Sequence, residues 1–167
     1  MKRLAPLWLL ALALAGCTLR PLYAGGSGGK VASVLAQVEI APIEGQAGYL
    51  VGNAVRDRLA ATPGSKALYR LEVRLDDRII GLGVRLDDTI TRERRTLRAR
   101  YQLIDLANGA VLLDATAGSD AGIDVVGSEY ATIAGENTAL ERLSAIVADQ
   151  IVARVALYAE RTSPTGP

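Results

Sequence analysis

The chain has 167 residues, a length that suits one folded domain, and its 19 Lys and Arg nearly balance its 18 Asp and Glu. A formal net charge of +1 gives no global basic character of the kind seen in nucleic-acid-binding proteins. The sequence has no histidine and one cysteine, Cys17. These absences exclude Ser-His-Asp and Cys-His catalysis, zinc sites built from His or several Cys, and internal disulfides. No cofactor is implied.

The N-terminal residues have the pattern of a bacterial lipoprotein signal. Two basic residues precede an apolar run, and the small pair Ala15-Gly16 leads to Cys17. The run is shorter than the roughly 20 residues of a membrane-spanning helix. We therefore predict a signal peptide over 1–16 and a lipid anchor (palmitate or another acyl chain) on Cys17. The alternative is an ordinary hydrophobic helix with an incidental cysteine. Thr18 stands where Asp would favour retention in the inner membrane, so we expect the outer membrane.

The next segments predict a tether, a strand and a helix. Gly and Ser dominate residues 25–29, so we assign 17–30 to the lipidated N-terminus and a flexible tether. Apolar and polar residues alternate over 31–43, which predicts a first strand. Apolar residues at helical spacing over 50–59 predict a first helix that ends at Pro63-Gly64.

Three further strands are predicted in the middle of the chain. Clean alternation from Tyr69 to Asp76 gives the second strand, and a polar turn over 85–88 separates it from the third, over 89–105. Ala107-Asn108-Gly109 has the residues of a hairpin turn, after which residues 111–117 return as the fourth strand.

Residues 118–127 lack a sustained period, whereas 128–161 predict a long amphipathic helix with Ser128 as its N-cap. Gly135 weakens the early part of this helix. Its expected core face comprises residues 130, 133, 140, 143, 147, 151, 155 and 158. The element order predicts one α+β domain over 31–161, a two-layer sandwich with two helices on one face of a four-stranded mixed sheet, and a frayed tail over 162–167.

Nearly the whole mature chain resembles the lipopolysaccharide-assembly lipoprotein family, LptE, in its alphaproteobacterial branch. The residues that carry the resemblance are Cys17, Arg20-Pro21-Leu22-Tyr23, Thr91-Arg92, the segment Tyr101 to Asp105, Gly109 and Ser128-x-Tyr130-Ala131. The resemblance implies a non-enzymatic outer-membrane protein of Gram-negative bacteria. It would act as a plug and assembly partner of the lipopolysaccharide-inserting β-barrel (LptD type), one-to-one, facing the periplasm and the barrel lumen. From the resemblance we also expect the protein to bind lipopolysaccharide in transit.

Arginines cluster around the third predicted strand: Arg85, Arg92, Arg94, Arg95, Arg98 and Arg100. Alternation places Arg92, Arg94, Arg98 and Arg100 on one face and directs Arg95 elsewhere unless the strand bulges. Guanidinium groups bind phosphate through paired, charge-assisted hydrogen bonds. Three interpretations stay open. The arginines form a solvated face paired with Glu72, Asp76 and Glu93, or contact acidic groups of the barrel wall, or bind lipopolysaccharide phosphates, foremost at Arg85 and Arg92.

Two other function classes are weighed against the assembly role. The protein could be a stand-alone, periplasm-facing lipoprotein that binds the cell wall or a soluble partner. It could also be a hydrolase that uses the carboxylates of Asp76-Asp77 or Asp87-Asp88. Adjacent strand residues point to opposite faces, and Asp87-Asp88 suits a turn, so the sequence disfavours this last class.

Overall fold

A computed structural model of the protein describes residues 29–59, 66–84 and 90–162. The elements in chain order are α1 (Lys30–Leu35), β1 (Val38–Ile40), α2 (Gly45–Leu59), β2 (Tyr69–Val84), β3 (Ile90–Asp105), β4 (Val111–Asp124) and α3 (Glu129–Thr162). The strands lie side by side in the order β1-β2-β3-β4, with β1 parallel to β2 and the other neighbours antiparallel. The predicted α+β class and mixed four-stranded sheet are confirmed. None of the helices in the described ranges is long and apolar enough to cross a membrane.

The segment before α2 differs from the prediction. Alternation over 31–43 predicts a single strand, but its first part is α1 and only Val38–Ile40 joins the sheet. The reason is that Val31, Val34 and Leu35 also have the spacing of one helical face, and Leu35 is buried in the core beneath α3. Pairing between β1 and β2 ends soon afterwards, with a last bond from the Ala41 N–H to the Leu71 carbonyl.

The two outer members of the β2–β3–β4 meander are longer than predicted. β2 continues to Val84 and β4 continues to Asp124, so the expectation that residues 118–127 contain no strand is wrong over most of its length. Gly118 and Gly122 conceal the alternation in the sequence, while Ala117 and Ile123 on the opposite face are buried. The buried positions of this strand are therefore apolar as a strand pattern requires, whereas glycine replaces polar residues at two positions of the other face.

The β3–β4 hairpin forms where it is predicted. Gly109 adopts a φ of 73°, which favours glycine, and its N–H donates to the Asp105 carbonyl at 2.8 Å. Two side chains fix the turn: Asp105 Oδ1 accepts from the Ala107 N–H at 2.8 Å, and Asn108 Oδ1 accepts from the Ala110 N–H at 2.9 Å. The turn sets the register in which β4 returns along β3.

We call the helix-packed side of the sheet the inner face. Its fully buried side chains come from alternate strand residues and from one side of α2 and α3. They include Leu71, Leu97, Tyr101, Leu103, Val51, Val55, Leu143, Val147 and Ile151. The core therefore lies between the sheet and the helices, as the two-layer prediction requires.

The first two turns of α3 depart from the predicted core face. Tyr130 is 84% exposed and Ile133 is 47% exposed, so neither contributes to the core. The side that faces the sheet here includes Gly135, where an added Cβ would lie 3.3 Å from Ile123 Cγ2. Gly135 therefore lets α3 approach β4 closely instead of merely weakening the helix.

Candidate functional site: the outer face of the sheet

The side of the sheet opposite the helices, which we call the outer face, is polar and open. Its side chains alternate with the buried ones along β2, β3 and β4, and most of them are exposed. No described element covers them. Its polar members are Glu72, Arg74, Asp76, Arg78, Arg92, Arg94, Thr96, Arg98, Arg100, Gln102, Asp114, Thr116, Asp120 and Asp124. In a two-layer sandwich this is the face left for solvent or for a partner.

The structure places the predicted arginines on β3 as alternation requires. Arg92, Arg94, Arg98 and Arg100 are exposed on the outer face, whereas Arg95 is buried on the inner face. Arg85 lies outside the described residues. The sequence cluster is therefore divided between two environments.

Arg95 has a structural role. Its Nε and Nη2 atoms donate to both Asp77 oxygens at 2.9 and 2.6 Å, and its Nη1 donates to the Glu136 carbonyl of α3 at 2.9 Å. The hydrogen bond to Asp77 raises the pKa of the guanidinium, and partial burial opposes that effect. Arg95 thereby joins β2, β3 and α3 on the inner face, where it is shielded from any partner.

Two of the four outer-face arginines of β3 are already neutralised. Arg92 donates to Asp124 at 3.0 Å. Arg100 donates to both Asp114 oxygens at 3.3 and 3.0 Å, and Gln102 donates to Asp114 at 2.8 Å. These donors lower the pKa of the Asp114 carboxyl, with the bond from Arg100 the largest cause, and the carboxylate raises the pKa of Arg100. The partners expected from the sequence, Glu72, Asp76 and Glu93, are not the ones used.

The other two, Arg94 and Arg98, form no ion pair with any residue in the described ranges. Each lies opposite a glycine of β4, Gly122 and Gly118 respectively. An added Cβ on Gly118 would lie 2.9 Å from Arg98 Cδ, so the arginine stem crosses the strand where no side chain stands. On the β2 side, Arg94 lies opposite Ile80, and Arg98 lies opposite Asp76, which is paired with Arg78 at 2.8 Å. Both guanidinium groups are therefore available to an anion.

The candidate catalytic carboxylates do not form a pair. Asp76 lies on the outer face and accepts from Arg78 at 2.8 Å, whereas Asp77 lies on the inner face with Arg95. Asp87 and Asp88 lie outside the described residues. Within the described ranges, no group of three or more His, Cys, Asp or Glu residues is arranged to hold a metal ion.

Sequence reasoning missed the carboxylates that neutralise the arginines. The role of Asp114 as a partner of Arg100 could have been predicted, because the turn of the β3–β4 hairpin places Asp114 opposite Gln102 and near Arg100. Asp124 and Asp77 could not have been found, because they lie in the parts of β4 and β2 that the sequence did not predict as strand. The groove over Glu72, Arg74, Arg100 and Gln102, with a volume of about 320 Å³, was likewise not predicted.

Comparison with known proteins identifies the family. The family model for LptE, described as lipopolysaccharide-assembly, matches residues 35–155. The chain belongs to this family. The match covers the sheet and most of α3, so the predicted resemblance is confirmed, and it places the protein in lipopolysaccharide assembly. No curated protein matches the sequence significantly.

Solved structures share the fold. A candidate lipoprotein from Caulobacter crescentus CB15 is 26% identical with a TM-score of 0.68, covering 79% of this chain and 98% of that one. Rare lipoprotein B from Shewanella oneidensis is 10% identical with a TM-score of 0.59, covering 75% and 97%. A minor lipoprotein from Acinetobacter baumannii is 15% identical with a TM-score of 0.58, covering 74% and 94%. The last two similarities concern the fold alone.

Proposed function

We propose that the protein is a lipid-anchored, non-catalytic subunit of lipopolysaccharide assembly at the outer membrane, paired one-to-one with the lipopolysaccharide-inserting β-barrel. The family match supports the assembly role. The observation that carries the barrel contact is the open outer face, which is polar and exposed over three long strands. The interior of a large membrane barrel is also polar, so the two surfaces are complementary in character.

The decisive test is mild detergent extraction of the tagged, full-length protein from outer membranes, followed by sizing and mass spectrometry. We expect a large β-barrel at one-to-one stoichiometry. A lone monomer, under conditions that preserve other membrane complexes, would overturn the barrel partnership. It would instead favour a stand-alone lipoprotein that binds the cell wall or a soluble partner.

The anchor is tested separately. Cys17, which lies outside the described residues, is the proposed lipidation site, and Cys17→Ala removes the only cysteine of the chain. Acyl chains contribute about 0.8 kcal/mol per buried CH₂, so their loss should release the protein from membranes when the barrel is absent. Continued membrane attachment in a strain depleted of the barrel would contradict lipidation at Cys17.

Within the outer face, we propose that Arg94 and Arg98 contact the phosphates of lipopolysaccharide, while Arg92 and Arg100 act mainly through their pairs with Asp124 and Asp114. Phosphate is favoured because a guanidinium donates two parallel hydrogen bonds to it. The first two arginines have no carboxylate to displace, whereas the other two do. Arg85, which lies outside the described residues, remains a further proposed contact.

Matched double variants test this assignment. We expect Arg94→Gln with Arg98→Gln to weaken binding of purified lipopolysaccharide by about a hundredfold or more, because each lost charge-assisted hydrogen bond is worth about 1.5–3 kcal/mol. Arg92→Gln with Arg100→Gln removes the same charge and should weaken binding less. Lipopolysaccharide stripped of its lipid A phosphates serves as the second control. Equal losses in both double variants would show a diffuse charge effect and contradict the assignment.

A further inference from the structure

The two edges of the sheet are treated differently by the fold. β4 forms one edge, and there the side-chain amide of Gln150 on α3 forms hydrogen bonds with both backbone groups of Gly118. The Gly118 N–H donates to Gln150 Oε1 at 2.9 Å, and Gln150 Nε2 donates to the Gly118 carbonyl at 3.4 Å. A primary amide in this position imitates one residue of a neighbouring strand and occupies the backbone groups of the edge at Gly118.

Among the described residues, none pairs with the opposite edge over most of β2. β1 pairs only with Tyr69, Arg70 and Leu71, and the last bond of this ladder runs from the Ala41 N–H to the Leu71 carbonyl at 3.0 Å. Successive residues of β2 direct their backbone N–H and C=O groups alternately to β3 and to the opposite side. Beyond Leu71, the residues that direct these groups to the free edge are Val73, Leu75, Asp77, Ile79 and Gly81. No other described residue forms a backbone bond with this edge.

The surroundings of this edge leave room for a strand. A groove of about 450 Å³ runs beside β2 and is lined by Ala41, Pro42, Ile43, Glu44 and residues 72–75. Further along, Ile79 is 39% exposed and Ile80 is 50% exposed, on opposite faces of the same edge. A strand with apolar residues on both sides would cover both isoleucines.

The charges of β2 do not protect its edge. Charged edge residues normally discourage pairing, but here Asp77 is held by Arg95 and Asp76 is paired with Arg78. Residues 79–84 (Ile-Ile-Gly-Leu-Gly-Val) are uncharged. Between Leu71 and Ile79, the exposed Arg74 and the half-buried Glu72 form no ion pair in the described ranges, so Arg74 can pair with a carboxylate on the incoming strand.

We propose that the free edge of β2, from Val73 to Gly81, binds an extended segment of the β-barrel partner as an added strand. Main-chain hydrogen bonds would provide the affinity, and the apolar pair Ile79 and Ile80 with Arg74 would select the sequence. The segment is a loop or terminal arm that enters the lumen, because the wall strands of a closed barrel have both edges paired. The inference rests on the proposed function for the identity of the partner.

A proline variant tests the backbone contact. The Ile79 N–H points away from β3, so Ile79→Pro leaves the internal ladder intact, removes one donor and obstructs the added strand. Ile79→Thr keeps the N–H and changes only the side chain, and Asp120→Pro places a proline at the equivalent, outward position of β4. With the full-length lipoprotein, we expect Ile79→Pro to reduce co-purified barrel by about tenfold, and each of the other two variants to reduce it clearly less. Circular dichroism melting of each variant confirms that it is folded.

The outcomes separate this inference from the proposed function. Undiminished barrel with folded Ile79→Pro would overturn strand addition and leave the barrel partnership intact. Failure of the wild type to co-purify a barrel would overturn both. A photo-crosslinking amino acid at Ile79, whose side chain lies on the inner face at the free edge, is compared with one at Thr116 on the outer face of β4. A crosslink from Ile79 to the barrel supports the inference, whereas a crosslink from Ile79 to a second copy of this chain overturns it.

Discussion

The two faces of β3 use the same residue type for opposite purposes. Arg95, on the inner face, donates three hydrogen bonds to Asp77 and α3, whereas its neighbour Arg94, on the outer face, forms no ion pair in the described ranges. A shift of one position along a strand exchanges one face for the other. An arginine cluster in a sequence is therefore not one site, and its members must be assigned to faces before any of them is given a function.

The comparison predicts that stability resides on the inner face and binding on the outer face. The largest effect should come from the core, where Leu97 is fully buried. We expect Leu97→Ala to lower the free energy of unfolding by about 3–4 kcal/mol, because it removes packed methyl groups and leaves a cavity. The neighbouring outer-face change Thr96→Ala should stay within about 0.5 kcal/mol. Urea unfolding of both variants measures the difference, and similar losses would mean that the outer face is also part of the core.

The next largest effect concerns the buried ion pair. Asp77→Ala leaves the Arg95 guanidinium, whose side chain is 10% exposed, without its carboxylate. We expect a loss of about 2–3 kcal/mol in the free energy of unfolding, somewhat less than for a fully buried pair because the Asp77 side chain is 24% exposed. The double variant Asp77→Leu with Arg95→Met should recover most of this loss. A double variant as unstable as Asp77→Ala would show that the pair itself, and not the uncompensated charge, determines stability.

A smaller effect distinguishes the two glycines that face Arg94 and Arg98. A Cβ on Gly118 would lie 2.9 Å from Arg98 Cδ and 3.1 Å from the Leu97 carbonyl oxygen, whereas one on Gly122 would have no neighbour within 4 Å. We expect Gly118→Val to destabilise the protein by about 1–2 kcal/mol through overpacking. Gly122→Val should be neutral or slightly stabilising, since valine favours strands. Thermal unfolding compares the two, and equal melting temperatures would contradict the close approach at Gly118.

The sequence was sufficient for the parts of the fold that local chemistry determines. The turn at Ala107-Asn108-Gly109, the alternation of Tyr69 to Asp76 and the register of Arg92 to Arg100 were all predicted from residue type and spacing. They could be predicted because each pattern has one period and a clear end. The face of every β3 arginine followed from that alternation alone.

The remainder depended on packing that no local pattern reveals. Residues 31–36 carry two patterns: Val34 and Ala36 continue the alternation of β1, whereas Val31, Val34 and Leu35 share one helical face, and packing beneath α3 favours α1. Asp124, the ion-pair partner of Arg92, lies in the part of β4 whose alternation is hidden by Gly118 and Gly122, so the full division into neutralised and available arginines could not be derived. The open edge of β2 likewise depends on the topology. β1 is the neighbour of β2 on that side, and it pairs with only three of its residues.

The smallest expected effect is a pH dependence confined to the outer face. Hydrogen bonds from Arg100 and Gln102 lower the pKa of Asp114 in the folded protein. As pH falls below the ordinary aspartate value of about 4, the unfolded chain takes up the proton first. The stabilisation from Asp114 is therefore present above about pH 4 and is lost as pH falls through the folded-state pKa.

Urea unfolding from about pH 7 to about pH 2 tests this dependence. The free energy of unfolding should be higher for wild type than for Asp114→Asn at neutral pH, and this gap should close in acid. Asp120→Asn, an exposed change on the same strand without an ion pair in the described ranges, should show no gap at neutral pH. A gap for Asp114→Asn that stays constant down to acid pH would mean that the carboxylate charge does not provide the stabilisation.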